Sequence, residues 1–78
     1  MKPVQSKMAR VALGLGIRDL AELAKVAPAT ISRFEAGEEL KERTIDAIQN
    51  TLESAGVIFI NDDDQGPGVR LRKDSVAA

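Results

Sequence analysis

The side chains able to do chemistry in these 78 residues are of few kinds: eleven Lys and Arg, twelve Asp and Glu, and the hydroxyl residues, with no His and no Cys. Without a thiol there is neither a disulfide framework nor a thiolate nucleophile, and without thiol or imidazole no ordinary zinc or haem site. The commonest proton shuttle is missing as well. Asp62-Asp63-Asp64 gathers three carboxylates but lacks the ligand spacing and closing Glu of a calcium loop, so it reads as a solvated turn. No metal, no cofactor and no enzymatic activity are expected. What remains is ionic recognition. Lys2, Lys7, Arg10, Arg18, Lys25 and Arg33 stand against only Asp19 and Glu22 in residues 1–33, whereas residues 34–66 hold nine acids against Lys41 and Arg43. The net charge of −1 therefore hides a basic N-terminal half able to face an anion.

These groups need a scaffold, and the composition describes one. Apolar residues make up 44% of the chain and charged residues 29%, which suits a small folded domain rather than a disordered one. Phe34 and Phe59 are the only aromatics, so the core must be built from Leu, Ile, Val and Ala. No apolar run approaches the roughly 20 residues that span a bilayer. No apolar stretch follows Lys2, Lys7 and Arg10 in the manner of a signal peptide, and a soluble cytoplasmic protein is expected.

Periodicity supplies the elements. Met8, Val11, Ala12 and Leu15 recur at helical spacing and place a first helix from Pro3 to Leu13. Leu20, Leu23 and Ala24 mark a second, starting at Ile17 or Arg18 and ending at Ala24. A third runs from Pro28 to Ala36, with Ile31 and Phe34 inward and Gly37 as its stop. Thr44 is the expected N-cap of a fourth, in which Ile45, Ile48, Leu52 and Ala55 form the buried stripe and Gly56 ends the helix. The period then changes. Val57 to Ile60 and Val69 to Arg72 read as two strands joined by a long turn cluster, Asn61 to Gly68. The chain divides into a helical domain at 1–56, a β-hairpin at 57–73 and a frayed tail at 74–78. The fold class is mainly α: a small bundle of four or more helices with a C-terminal β-hairpin.

Two short helices joined by Lys25-Val26-Ala27 have the outline of a helix-turn-helix. Ala21 is small where the third helix must cross the second, Val26 can plug the turn, Ile31 can anchor the crossing, and Pro28 suits a first helical position. The stretch Leu13-Gly14-Leu15, Leu20-Ala21, Ala24, Val26, Thr30-Ile31-Ser32-Arg33-Phe34-Glu35 and Gly37 resembles the phage repressor and Cro-like helix-turn-helix family of transcription regulators. The match is ungapped from Leu13 to Gly37, and residues 29–37 resemble the recognition helix of that family. Leu52 to Phe59 and Gly66 to Arg72 also resemble the tail of small members without an effector domain.

The resemblance implies a lambda-repressor-like fold and sequence-specific binding of double-stranded DNA, with the third helix in the major groove. Pro28, Ala29, Thr30 and Arg33 then fall at base-reading positions. Arg33 is the expected fork onto guanine, Thr30 a hydroxyl and methyl contact, and Pro28 and Ala29 packing surfaces for thymine. Arg18, Lys25, Ser32, Lys41 and Arg43, with Lys7 as an addition, are expected at phosphates, and the N–H groups at the start of the second helix provide another phosphate seat. Arg10 and Glu35 match a structural ion pair of some family members. Three departures stand out: Ile17 where the family often has Gln, Lys25 where a left-handed Gly is common, and Ala27 where a Ser or Thr cap is usual.

The hairpin raises a separate expectation. Val57 and Phe59 alternate with Ile58 and Ile60, so burying one pair on the helices exposes the other. A homodimer interface formed by Val57, Ile58, Phe59, Ile60, Val69 and Leu71 is expected, setting two recognition helices about 34 Å apart on a two-fold operator. Repression by occupying DNA is the simplest function. The alternative is an antitoxin-like or other protein-binding module whose hairpin pairs with a protein partner. Arg70 and Arg72, on one strand face, are expected to guard that edge against aggregation.

Overall fold

Helix-forming runs punctuated by glycine, followed by a β-branched stretch, fold in chain order into α1 (Pro3–Ala12), α2 (Ile17–Ala24), α3 (Pro28–Glu35), α4 (Glu42–Ser54), β1 (Val57–Asp63) and β2 (Gly66–Leu71). The computed structural model describes residues 1–63 and 65–73. The expected tail at 74–78 and Asp64 of the acidic triad lie outside the described residues. Four helices and an antiparallel two-stranded hairpin make the architecture mainly α.

The core contains Ala9 from α1, Leu20, Ala21 and Ala24 from α2, Ile31 and Phe34 from α3, Ile48 and Leu52 from α4, and Val57 from β1. Phe59, Val69 and Leu71 pack on its edge. The hairpin is thus continuous with the helical body. It shares a single apolar centre with residues 1–56.

Helix α1 departs from its expected orientation. Its periodic apolar residues Met8, Val11 and Ala12 face outward, Val11 being 61% exposed, while Gln5, Ser6 and Ala9 face inward. The reason is chemical: the inner face of α1 meets a carboxylate and two strand carbonyls, which need donors rather than methyl groups. Gln5 supplies two of them. Its Nε2 donates to Ile60 O at 2.9 Å and to Gly68 O at 3.0 Å, while its Oε1 accepts the Lys2 N–H at 2.8 Å. One buried amide therefore caps α1 and ties both strands to it. Among the described residues no buried side-chain nitrogen or oxygen lacks a partner, as a polar inner face requires.

Two boundaries also move. Helix α4 begins at Glu42 with Lys41 as its N-cap, and Thr44 lies inside the first turn, its N–H donating to Lys41 O at 2.9 Å. Ile48 and Leu52 are buried as the stripe requires, but Ala55 is exposed at the C-cap. In the hairpin, Val57 pairs with Leu71, Ile58 with Arg70, Phe59 with Val69 and Ile60 with Gly68, and after an irregularity Asp63 pairs with Gly66. The expected long loop is therefore mostly strand, because cross-strand pairing overrides the turn preference of Asn, Asp and Gly. The bulge absorbs the mismatch.

Gln5→Leu keeps the volume and removes every one of these polar contacts. It should lower the free energy of unfolding by roughly 2–4 kcal/mol, since two strand carbonyls and a helix-capping N–H lose their partner. Urea denaturation of the two proteins measures the difference.

Candidate nucleic-acid interface

Helix α2 crosses α3 where Ala21, only 1% exposed, leaves no side chain to hold the two apart. Ile31 and Phe34 fill the far side of the crossing, and Val26 packs against the same core from the turn. The turn begins at Lys25, whose φ of 59° and ψ of 44° are left-handed; it is the one non-glycine residue with positive φ among the described residues. Its conformation lets the Val26 N–H reach back to Ala21 O at 3.0 Å, closing α2. Ala27 then precedes α3 in extended conformation with no side-chain cap, and Pro28 takes the first helical position. At the other end Gly37, with φ of 96°, lets the Glu38 N–H reach Arg33 O at 3.0 Å.

With Ile31 and Phe34 buried, an advance of about 100° per residue turns Ala29 and Ala36 straight outward, with Ser32 and Arg33 on either side of that ridge. All four are exposed, as is Pro28 at the helix tip. Thr30 sits at the margin and is half-buried. Ser32, expected at a phosphate, is exposed on the outward arc, and Thr30, expected at a base, lies at its edge. The Arg33 guanidinium has no hydrogen bond or ion pair with another described residue, so its donors are available to a ligand.

Glu35 points the opposite way. Arg10 grips it with two bonds, Nε to Oε2 at 3.0 Å and Nη2 to Oε1 at 2.9 Å, and Ser6 Oγ donates to Oε2 at 3.2 Å. The remaining Arg10 nitrogen, Nη1, donates to Leu15 O at 3.1 Å. Both side chains are largely enclosed, 12% and 7% exposed. The hydrogen bond to Glu35 raises the pKa of Arg10 above the usual arginine value, despite the opposing effect of burial. A raised folded-state pKa stabilises the fold below the unfolded value and loses that contribution only as pH rises through the folded one. For Arg10 that window is strongly alkaline, so its charge is constant at neutral pH. Arg10 is therefore committed to the Glu35 carboxylate and to Leu15 O within the fold.

Of the other cations expected at phosphates, Lys7 is exposed in the middle of α1, and the rest lie at the ends of elements. Arg18 lies in the first turn of α2, Lys25 in the turn before α3, Lys41 at the N-cap of α4 and Arg43 in its first turn, all exposed. The start of α2, expected as a bare N–H phosphate seat, carries the Asp19 carboxylate instead, which accepts the Gly16 N–H at 2.8 Å. Negative charge at that end weakens it as a place for an anion.

The hairpin residues expected at a dimer interface divide. Val57 is buried and Phe59, Val69 and Leu71 pack on the core of their own chain, because register places all four on the inner face. Ile58 and Ile60 are on the outer face, with Ile58 42% exposed. The larger exposed apolar surface is elsewhere, along Val4, Met8 and Val11 of α1. Sequence reasoning missed this face, and missed Gln5 and Ser6, because an apolar period carries no sign saying which side of a helix faces the core. No group of three potential metal-binding side chains occurs among the described residues, and no described helix is long and apolar enough to cross a membrane.

Residues 7–55 match the helix-turn-helix family model, which covers α1 from Lys7 through α4. No curated protein matches the chain.

Lys25→Gly tests the strain at the left-handed turn residue. A left-handed non-glycine costs roughly 1–2 kcal/mol, and the extra unfolded-state freedom of glycine returns about 0.5–1 kcal/mol of that. The variant should be more stable by about 0.5–1 kcal/mol in thermal or urea unfolding.

Proposed function

The chain belongs to the phage repressor and Cro-like helix-turn-helix family of DNA-binding transcription regulators, and we propose that it binds a specific duplex site by inserting the N-terminal part of α3 into the major groove. The observation that carries this reading is the outward arc of α3, on which Pro28, Ala29, Ser32 and Arg33 are exposed while Ile31 and Phe34 hold the helix to the core. Each base pair presents a distinct pattern of donors and acceptors in that groove. Arg33 reads guanine through O6 and N7, a discrimination of about 1–3 kcal/mol. Thr30, at the edge of the arc, adds a marginal base contact. Arg18, Lys25, Lys41 and Arg43 neutralise phosphates, so affinity falls as salt rises.

The protein acts in the cytoplasm as a repressor, by occupying DNA that polymerase needs. It carries out no chemical step. It binds as a two-fold homodimer, which places two copies of α3 one helical turn apart on a pseudo-palindromic site. The inner face of the hairpin is already used within the chain, so this dimer draws on Ile58 and Ile60 and on the exposed apolar stripe of α1. That stripe is also the feature that favours the second reading, an adaptor for another protein, which stoichiometric co-purification of a partner would support.

Selection of bound sequences from a random duplex pool tests the first reading. The parent should enrich a short site with two-fold symmetry, and Arg33→Ala should relax the preference at one position per half-site, by roughly 5- to 150-fold. Unchanged preference in the variant would remove Arg33 as reader. Sedimentation at tens of micromolar should give twice the monomer mass; a monomer that binds one per site would eliminate the dimer.

A further inference from the structure

We propose that the outward face of α1 is the docking site for an acidic amphipathic helix of another protein, and that this occupant excludes the second copy of the chain. This rests on the second reading above, a protein partner at the exposed stripe, and goes further by naming the form and the charge of that partner.

The form follows from the stripe. Val4, Met8 and Val11 are 46%, 38% and 61% exposed, and with Lys7 and Ala12 they line one open depression of about 410 Å³. Their spacing, four residues and then three, is the interval at which one helix meets another along a shared seam. The seam runs for roughly 10 Å at 1.5 Å per residue. A strand is the poorer fit. Between its ends α1 uses its N–H and C=O groups in its own helical ladder, so an added strand would find no backbone partners there. A helix arrives with its backbone already satisfied and needs only apolar side chains to insert among the three.

The charge follows from what surrounds it. Lys7 lines the depression, is exposed, and makes no hydrogen bond or ion pair with another described residue. None of residues 1–18 is acidic, and the first turn of α1 holds no carboxylate to match the positive end of its dipole. Carboxylates flanking the apolar seam of a partner helix meet both demands. A second α1 laid on the stripe instead sets Lys7 near Lys7, with no acid on either helix between them, and like charges across an interface select against that pairing. The homodimer proposed above draws on the same stripe, so an acidic helix seated there displaces the second copy. Loss of that copy weakens the hold on a two-fold operator, because the second half-site is no longer bound from the same molecule.

The test uses the full chain and a fluorescein-labelled synthetic helix of about three heptads, with Leu at the two seam positions and Glu beside them, whose like charges keep it from pairing with itself. Fluorescence anisotropy should show saturable binding that weakens with salt and is about tenfold tighter than for the same peptide with Lys in place of Glu. Val11→Ser should weaken binding about tenfold, the effect of one apolar side chain no longer buried, and should leave the urea midpoint of the free protein in place, since Val11 is already 61% exposed. Lys7→Glu should reverse the preference in favour of the Lys peptide. In sedimentation, saturating Glu peptide should convert the dimer to one chain carrying one peptide. Binding of neither peptide would overturn the docking face itself, and equal binding of both would leave a protein-binding face and overturn its acidic preference. Binding to phosphatidylserine vesicles without binding to either peptide would assign the face to a membrane instead. A dimer that persists at saturation, or a chain that is monomeric from the start, would overturn the exclusion of the second copy. A random duplex pool that yields no preferred sequence would remove the first reading and leave this one standing.

Discussion

The carboxylate of Glu35 is the constraint around which the rest of the molecule is arranged. It hangs from the last turn of α3 into the body of the protein, where a charge persists only if it is paired and hydrogen-bonded. Arg10 and Ser6 meet that demand from α1, and in doing so they decide which side of α1 faces inward. Once Ser6 and Arg10 are turned toward Glu35, Gln5 is turned toward the hairpin, and Val4, Met8 and Val11 have nowhere to go but outward. A buried ion pair is weak evidence of net stability, because the cost of removing both charges from water offsets much of their attraction. Its effect here is geometric. The pair fixes the angle at which the far end of α3 leaves α1, and through it the direction in which the near end projects.

That orientation cannot come from α3 alone. Eight residues are too few to hold a helix in water without tertiary packing, and the local chemistry at its start is unfavourable twice over. Lys25 is held left-handed, and Ala27 forfeits a cap contributing roughly 1 kcal/mol. Both costs sit in the turn that presents the helix, and both are met by the apolar crossing of Ala21 against Ile31 and Phe34 and by the polar anchor at Glu35. The turn is strained because the packing on each side over-determines it, which is the usual condition for such strain to persist.

How much of this was legible in the sequence depended on the kind of signal. Helices α2 and α3 and the inward placing of Ile31 and Phe34 follow from period and punctuation, because in α3 the apolar face and the core face coincide; in α2 they do so only in part, since Leu20 and Ala24 are buried but Leu23 is 56% exposed. The pairing of Arg10 with Glu35 was visible only through family resemblance, since the two residues are 25 positions apart and nothing local joins them. Helix α1 was placed correctly in the chain and turned the wrong way. A period of 3.6 is the same whichever face is buried, and the polar inner face is meaningful only when the carboxylate and the strand carbonyls opposite it are known. Thr44 was a sound cap by residue type, but the backbone enters the helix at Lys41, and an exposed start is not obliged to use the best side chain. The exposure of Ser32 and the half-burial of Thr30 have a related reason: two hydroxyls two residues apart lie on different sides of a helix, and only the position of the core says which is outside.

The division of labour within α3 has a consequence for how such a domain can change its target. The residues that hold the helix, Ile31, Phe34 and Glu35, are engaged with α1 and α2, and each is tied to several neighbours. The outward residues, Pro28, Ala29, Ser32 and Arg33, are exposed and contribute little that the fold depends on. The residues that hold the fold and those left free for a partner thus lie on opposite sides of the same eight residues. The acidic residues follow the same separation: Glu38, Glu39 and Glu42 come after α3 in sequence, and none of the four outward residues of α3 is acidic. In the complex proposed above, the overall negative charge opposes a polyanion only across solvent, where charge–charge interactions are largely screened beyond about 10 Å, and the face that would make the contact is neutral apart from Arg33. On the proposed reading, attraction from the flanking cations supplies encounter and affinity, and the arc of α3, small, mostly apolar and nearly uncharged, discriminates by shape and by a single guanidinium.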